Sequence, residues 1–449
     1  MEPTLRGLSH KPAGWLARAG AVVCALCLAA SLCLADDSAP APPIAFPQAV
    51  ELALQHSGVM GIATINQWRA QKSYQELRNN YIPQITIGSG LGYSYGFPLT
   101  LEGSAPSVVN FTSLQSLFNL SLKQFIKAAK IDWNATSLDI QDKRNAVILD
   151  TALTYAELAQ LEGKIKALTG AQQAAAKAQS VSEQRLQEGV DSKLDFTRTQ
   201  LVAARIRLRL AEAQGQVDVQ REHLAKLLGV PANSVAVDPA SLPPPPAISQ
   251  DEDLPARAVA NSPTVKLAQQ KVLAAEARAK GEHKAMLPTI DLATQYAYLA
   301  RFNNYDVYYS HYLANNFSGG LNLRYPIFNS VQKARAAEAD ADAMLARKQA
   351  DLTSNQVGEN ALKLQRSLRQ LEAARDVAKL EWQVAQGDLD LVRARLENGK
   401  ANPKEMQTSQ LDADDKQAAY LDAELELTRA ALQLLRLTGE LENWAIPPH

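Results

Sequence analysis

Internal duplication constrains this chain more than any other feature. A proline opens an alternating apolar run at Tyr81-Ile82-Pro83-Gln84-Ile85 and again at Met286-Leu287-Pro288-Thr289-Ile290, a step of 205 residues from Pro83 to Pro288. The segment RLQEGVDSKLDF from Arg185 returns as RLENGKANPKEM from Arg395, and LLG ending at Gly229 returns as LTG ending at Gly439, both steps being 210 residues. Solenoid units repeat every ~20–50 residues. A period this long instead describes two fused copies of one helix–hairpin–helix unit.

Residues 1–35 read as a signal peptide. Arg6, Lys11 and Arg18 form a positive start, Ala19 to Leu32 an apolar stretch, and Cys33-Leu34-Ala35 offers small residues for cleavage. The apolar stretch is shorter than the ~20 residues of a spanning helix. All three cysteines (Cys24, Cys27, Cys33) lie in this segment, so neither disulfides nor thiolate metal sites are expected afterwards. Removing it takes three of the 46 basic residues and one of the 47 acidic ones, leaving a net charge of −3. That balance argues against nucleic acid as a partner. Beyond the signal no apolar run reaches the length of a transmembrane helix. If an exported chain of this kind enters a membrane, it does so as strands.

The domain boundaries follow the repeat. Residues 36–47 form a Pro-rich linker. Repeat 1 spans 48–230, with a helix to about Asn80, a hairpin at 84–125, a long helix from about Ile126 to Glu188, a tip at Gly189 and a return helix to about Leu228. An equatorial linker at 231–252 holds four consecutive prolines, Pro243 to Pro246. Repeat 2 spans 253–449: a helix to about Ala285, a hairpin at 289–328, a long helix from about Val331 to Asn398, a tip at Gly399, a return helix and a short tail. Leu364, Leu368, Leu371, Ala378, Trp382, Ala385, Leu389, Val392 and Leu396 alternate at spacings of three and four, broken only at Arg375. That is a coiled-coil period, and Trp382 reads as core. Helices of ~90–100 Å must pack in an elongated bundle.

The strands carry one large apolar face and one small or polar face. In the first, Ile85, Ile87, Leu91, Tyr93 and Tyr95 alternate with Thr86, Gly88, Gly90, Gly92 and Ser94; its partner reads as Phe118, Leu120 and Leu122 against Asn119, Ser121 and Lys123. In repeat 2, Ile290, Leu292, Tyr296 and Tyr298 oppose Asp291, Ala293, Gln295 and Ala297, and Phe317, Leu321, Leu323 and Tyr325 oppose Ser318, Gly320, Asn322 and Arg324. This is the dyad pattern of an outer-membrane barrel. Ile87, Leu91, Leu292 and Leu323 would face lipid, with Tyr93, Tyr95, Tyr296, Tyr298 and Tyr325 as an aromatic rim. On that reading an arginine at Leu323 disturbs insertion far more than one at Asn322. A soluble hairpin packed on a helix is the competing reading. Four strands cannot close a barrel, and open edges in lipid are costly. Two chains would give eight strands and three would give twelve; the long helices favour the wider ring.

The signal peptide, the paired helix–strand–strand–helix units, the strand entries Ile82-Pro83 and Leu287-Pro288 and the RLxxG tips together resemble the TolC family of outer-membrane efflux proteins. The resemblance spans Phe46 to Leu441. It implies a mainly α chain with a small β part: a long α-helical barrel continued into a transmembrane β-barrel, closed as a homotrimer. It also implies a periplasmic adaptor and an inner-membrane pump as partners, in an efflux or secretion system. By the same resemblance, Asp195 and Glu405 would form a ring at the periplasmic entrance. Thr408 stands where the family carries a further aspartate. Arg185, Leu186, Gly189, Arg395, Leu396 and Gly399 resemble the tips that adaptors grip.

Simpler readings stand beside these. Ser192-x-x-Asp195 and Asn402-Pro403-Lys404-Glu405 both look like helix starts, with a cap residue and a carboxylate at the third position. Tip glycines also serve as plain turn residues. The six histidines are scattered, and Gly88-Ser89-Gly90-Leu91-Gly92 lacks the spacing of a dinucleotide loop, so no enzyme activity, cofactor or metal is expected. A periplasmic adaptor or a soluble coiled-coil structural protein are the alternatives. The cargo is not written in the chain.

Overall fold

The computed structural model describes residues 43–91, 107–244, 253–300, 311, 313–398, 400–401 and 403–446. The signal peptide, Tyr93, Tyr95 and Gly399 lie outside the described residues, as does Asn402. Both halves run in one order. Repeat 1 holds α1 (Phe46–His56), α2 (Gly58–Asn79), β1 (Gln84–Gly90), β2 (Ser107–Phe118), α3 (Leu120–Gln187) and α4 (Lys193–Leu228). Repeat 2 holds α5 (Leu254–Asn261), α6 (Pro263–Lys284), β3 (Thr289–Leu299), β4 (Asn315–Arg324), α7 (Ser330–Glu397) and α8 (Pro403–Thr438), and α9 (Leu441–Ala445) follows. The duplication extends to helix length: α2 and α6 have 22 residues each, α3 and α7 have 68, α4 and α8 have 36. The long helices therefore extend ~100 Å.

Two expectations are corrected. A single helix was expected to open each half, but each half opens with two. Ser57 (φ −61°, ψ 121°) and Ser262 (φ −55°, ψ 121°) are extended and break the helix; the proline after Ser262 disfavours a helical residue before it. The second strand was expected around Phe118–Leu122. It lies instead at Ser107–Phe118, and Leu120 and Leu122 are already helical. Asn119 causes the switch, since its side chain accepts a hydrogen bond from the Leu122 amide at 2.9 Å and caps α3. Asn329, 210 residues on, caps α7 through the Gln332 amide in the same way.

The four strands form one antiparallel sheet in the order β1-β2-β3-β4. The register puts Ile87 opposite Phe111, Phe111 opposite Tyr296, and Tyr296 opposite Phe317; Leu292 pairs with Leu321 and Ile290 with Leu323. One face is thus large and apolar. The other carries Thr86, Gly88, Asn110, Thr112, Ala293, Gln295, Gly320 and Asn322. Among the described residues no helix packs across the sheet. Its apolar side is bare: Ile87 is 69% exposed, Phe317 73% and Leu323 68%.

The main core sits where the halves meet. Phe46 is fully buried, edge-on to Tyr155 with centroids 5.5 Å apart, and 5.3 Å from the Trp444 ring. The buried Tyr155 hydroxyl accepts from the Asp238 amide (2.8 Å) and lies 2.8 Å from the Ile44 carbonyl and 2.9 Å from Ser241 Oγ, so one side chain ties α3 to both the chain entry and the connection between halves. Below it α3 packs on α4, α7 on α8, and α8 on α3. On α7, Leu368, Ala385 and Leu389 are buried, while Trp382 is half-buried and stacks on Tyr420 at 5.6 Å.

Candidate functional site

The hairpin tips are built from backbone upward. At the end of α3, Gly189 adopts φ 74°, in the left-handed region open to glycine. The Gly189 amide then reaches the Leu186 carbonyl (3.1 Å) and the Val190 amide the Arg185 carbonyl (2.8 Å), closing the helix in a Schellman turn. At the second tip the Lys400 amide donates to the Arg395 carbonyl at 2.8 Å, the counterpart of the Val190 bond. The turn folds Arg185 back so that its Nε donates to Asp191 Oδ1 at 3.0 Å.

The chain re-enters helix at Ser192. Its Oγ accepts from the Asp195 amide (3.2 Å) and donates to Asp195 Oδ2 (2.6 Å). Asp195 also pairs with Arg198 at 3.3 Å. The Ser192 hydroxyl, with Arg198 and Lys404 nearby, holds the Asp195 carboxyl below its ordinary range. Ser192 is thus the helix cap, and the Asp195 carboxylate lies in the first turn of α4 with the cap hydroxyl as a donor. The structure brings it close to Lys404 of the second tip, whereas Glu405 is exposed in the first turn of α8.

A cleft of about 550 Å³ opens between the tips, and Arg185, Asp191, Asp195, Arg198, Lys404 and Gln407 are among its lining residues. Of these, Asp191, Arg198, Lys404 and Gln407 were missed from the sequence. The spacing between Arg185 and Asp191 was a readable signal, because a Schellman turn brings the two together; the pairing of two tips 210 residues apart was not. Leu186 and Leu396 are half-buried, and Arg395 is exposed.

On the sheet, Ile87 and Leu323 share the exposed apolar face, Leu91 lies just past β1 and is 57% exposed, and Leu292 is half-buried on the same face. Tyr296 and Tyr298 lie on that face near the far end of β3, while Tyr325 follows the end of β4. Among the described residues no group of three or more His, Cys, Asp or Glu is placed to hold a metal ion, and no helix is long and apolar enough to cross a membrane.

A family model described as "Outer membrane efflux protein" matches residues 49–230 and 254–440, one match per half. The chain belongs to that family. Protein CyaE of Bordetella pertussis is 26% identical over 428 residues, covering 90% of this chain and 87% of the relative. Among solved structures, the outer membrane protein VceC of Vibrio cholerae matches with a TM-score of 0.71 at 18% identity, over 88% of this chain and 96% of that one. The outer membrane channel CmeC of Campylobacter jejuni matches with a TM-score of 0.72 at 14% identity, over 88% and 86%. These two establish the fold. Family membership makes the chain an outer-membrane channel component with a large periplasmic helical part, working in tripartite systems with a periplasmic adaptor and an inner-membrane pump. The family is one of channels rather than enzymes.

Proposed function

We propose that three copies of the chain close one twelve-stranded barrel, and that cargo crosses it from the periplasm to the exterior. The observation that carries this is the sheet. Among the described residues it has two edges without a strand partner, β1 and β4, a bare apolar face, and no helix packed across it. In lipid each unpaired backbone group costs several kcal/mol, so the edges are satisfied only by β1 of one copy pairing with β4 of the next. A soluble hairpin would bury its apolar face instead. Ile87, Leu91, Leu292 and Leu323 then face lipid, the small polar face lines the pore, and the chain acts as a conduit with no catalytic centre.

At the other end, the tips would form the periplasmic entrance. Asp195 and Glu405 contribute negative potential there, and Arg185, Leu186, Gly189, Arg395, Leu396 and Gly399 offer the surface an adaptor grips. Mass measurement of the purified protein in mild detergent tests the assembly. A trimer is expected, and a stable monomer or dimer overturns the reading.

A further inference from the structure

The helices that carry the sheet hold a band of lysines at their sheet end. On α3, Lys123, Lys127 and Lys130 step by four and three residues along one stripe, which continues downward as Asn134, Ser137, Gln141 and Asn145. The charge of that stripe is thus confined to the end nearest the sheet. On α6, which runs the opposite way, Lys280 and Lys284 stand one turn apart at the same end, above Ala277 and Leu273. Lys123, Lys127, Lys130 and Lys280 are exposed and Lys284 is half-buried. Among the described residues none of the five makes an ion pair, whereas their neighbours Arg278, His283 and Arg347 pair with Asp132, Asp340 and Glu276. Helix stability does not explain them either. Lys123 stands in the first turn of α3, where a cation opposes the helix dipole and no acidic residue offsets it.

The lysines share one side of the row α2-α3-α6-α7, in which α3 and α6 are each flanked by helices of their own chain. α3 meets α6 through Ser121, whose Oγ donates to the Gly281 carbonyl at 2.8 Å, and through Asp132; it stacks on Tyr74 of α2 through Trp133 at 5.7 Å. At about 100° per residue, these contacts leave the wider arc of α3 to the three lysines. That arc is the convex, outer side of the row, and helical handedness puts Lys280 and Lys284 on it as well.

Above the lysines, the joints between helix and sheet expose apolar side chains. Ile82 and Leu287 do so beyond the ends of α2 and α6, Phe118 at the foot of β2, and Ile327 (88%) and Phe328 (81%) ahead of α7. The ammonium of Lys333, the counterpart of Lys123 in repeat 2, lies 5.7 Å from the centre of the Phe328 ring. An apolar rim over a band of unpaired cations matches the edge of a bilayer, with hydrocarbon first and phosphate next. We propose that this collar binds anionic phospholipid of the periplasmic leaflet, its lysines holding the headgroup phosphates. The inference rests on the sheet being the part of the chain that spans the membrane. Lys123 and Lys127 lie ~5 and ~11 Å below the start of α3, against a headgroup zone ~5–8 Å deep. Side chains of a helix lean toward its N-terminus, so on α3 the lysine stems reach up to that zone.

Electron spin resonance of spin-labelled lipid around the mature protein in phosphatidylcholine vesicles tests this. Labelled phosphatidylglycerol should be preferred over labelled phosphatidylcholine by about twofold to fivefold at low salt. The ratio should fall to near one in Lys123→Gln/Lys127→Gln/Lys280→Gln/Lys284→Gln. Adding Asn134→Lys and Gln141→Lys to that variant restores two charges more than ~20 Å below the start of α3 and should leave the ratio near one. A ratio of one in the unmutated protein, or an unchanged preference in the quadruple variant, overturns the collar. Recovery by the two lower lysines overturns its position. Ion selectivity in planar-bilayer conductance should be the same in the quadruple variant; a shift would put the lysines in the pore and overturn the outer placement. Absence of any motionally restricted lipid around the unmutated protein overturns the membrane-spanning sheet itself.

Discussion

An arginine scan along the apolar face of the sheet reports its depth in the membrane. Thr294 is the sixth of eleven residues in β3 and lies between Leu292 and Tyr296 on that face. A strand rises ~3.4 Å per residue, and at a tilt of ~40° it climbs ~2.6 Å. Five residues above Thr289, Thr294 is then ~13 Å from the strand base, the middle of an apolar band ~25 Å tall. Leu323 lies one residue from the end of β4, where Arg324 pairs with Thr289, so it sits ~3 Å inside the band. Thr294→Arg should therefore cost roughly 2–4 kcal/mol per chain and Leu323→Arg only about 0–1 kcal/mol. Gln295→Arg, at the same depth on the opposite face, should cost close to nothing. Urea titration of folding into lipid vesicles measures all three. Equal losses for Thr294→Arg and Gln295→Arg would refute a lipid-facing sheet, and equal losses for Thr294→Arg and Leu323→Arg would refute this depth assignment.

Other perturbations probe the tips and the core. If Asp195 and Glu405 form the entrance, Asp195→Asn/Glu405→Gln should reduce cation preference in planar-bilayer conductance; an unaltered preference leaves only a capping role. Because the folded-state pKa of Asp195 is lowered, its stabilisation is complete above the ordinary aspartate value near ~3.9 and is lost only as pH falls through the depressed value. Single-channel selectivity at stepped pH should thus persist below that ordinary value. Tyr155→Phe leaves the Asp238 amide without its buried partner and should cost about 1–3 kcal/mol in thermal or chemical unfolding, with conductance unchanged. Burial raises the Asp414 carboxyl, with Asp415 raising it further against the Gln410 hydrogen bond and Arg209. A raised carboxyl favours folding at low pH and loses that contribution as pH rises, so Asp414→Asn should increase the Tm at neutral pH and leave it unchanged in acid.

The duplication, the long helices and the two-faced strands were all legible because each is a periodic property of the chain. Boundaries set by one side chain were harder. The stretch from Phe118 to Lys123 alternates as a strand would, but Asn119 caps a helix there, and one hydrogen bond outweighs a short pattern. β2 was obscured because Ser113 and Gln115 interrupt its apolar face; Gln115 instead donates to the Tyr81 carbonyl at 2.9 Å and anchors the strand to the entry from α2. At the tips, Asp195 was found by its place after the glycine. Its link to Lys404 was not, since that contact joins two repeats and depends on how the hairpins lie side by side. Depth along a strand likewise escaped the sequence, which fixes a residue's face but not its distance from the strand end.

The two passages from sheet to long helix are unequal. In repeat 1 only Asn119 stands between β2 and α3, whereas in repeat 2 five residues, Tyr325 to Asn329 with Pro326 among them, separate β4 from α7. A one-residue joint transmits torque, while a five-residue joint has slack. The joint above α3 thus fixes the angle between strand and helix more tightly than the joint above α7. A change of angle at the top of α7 can be absorbed within Tyr325 to Asn329, whereas one at the top of α3 has to bend Asn119 or the strand itself.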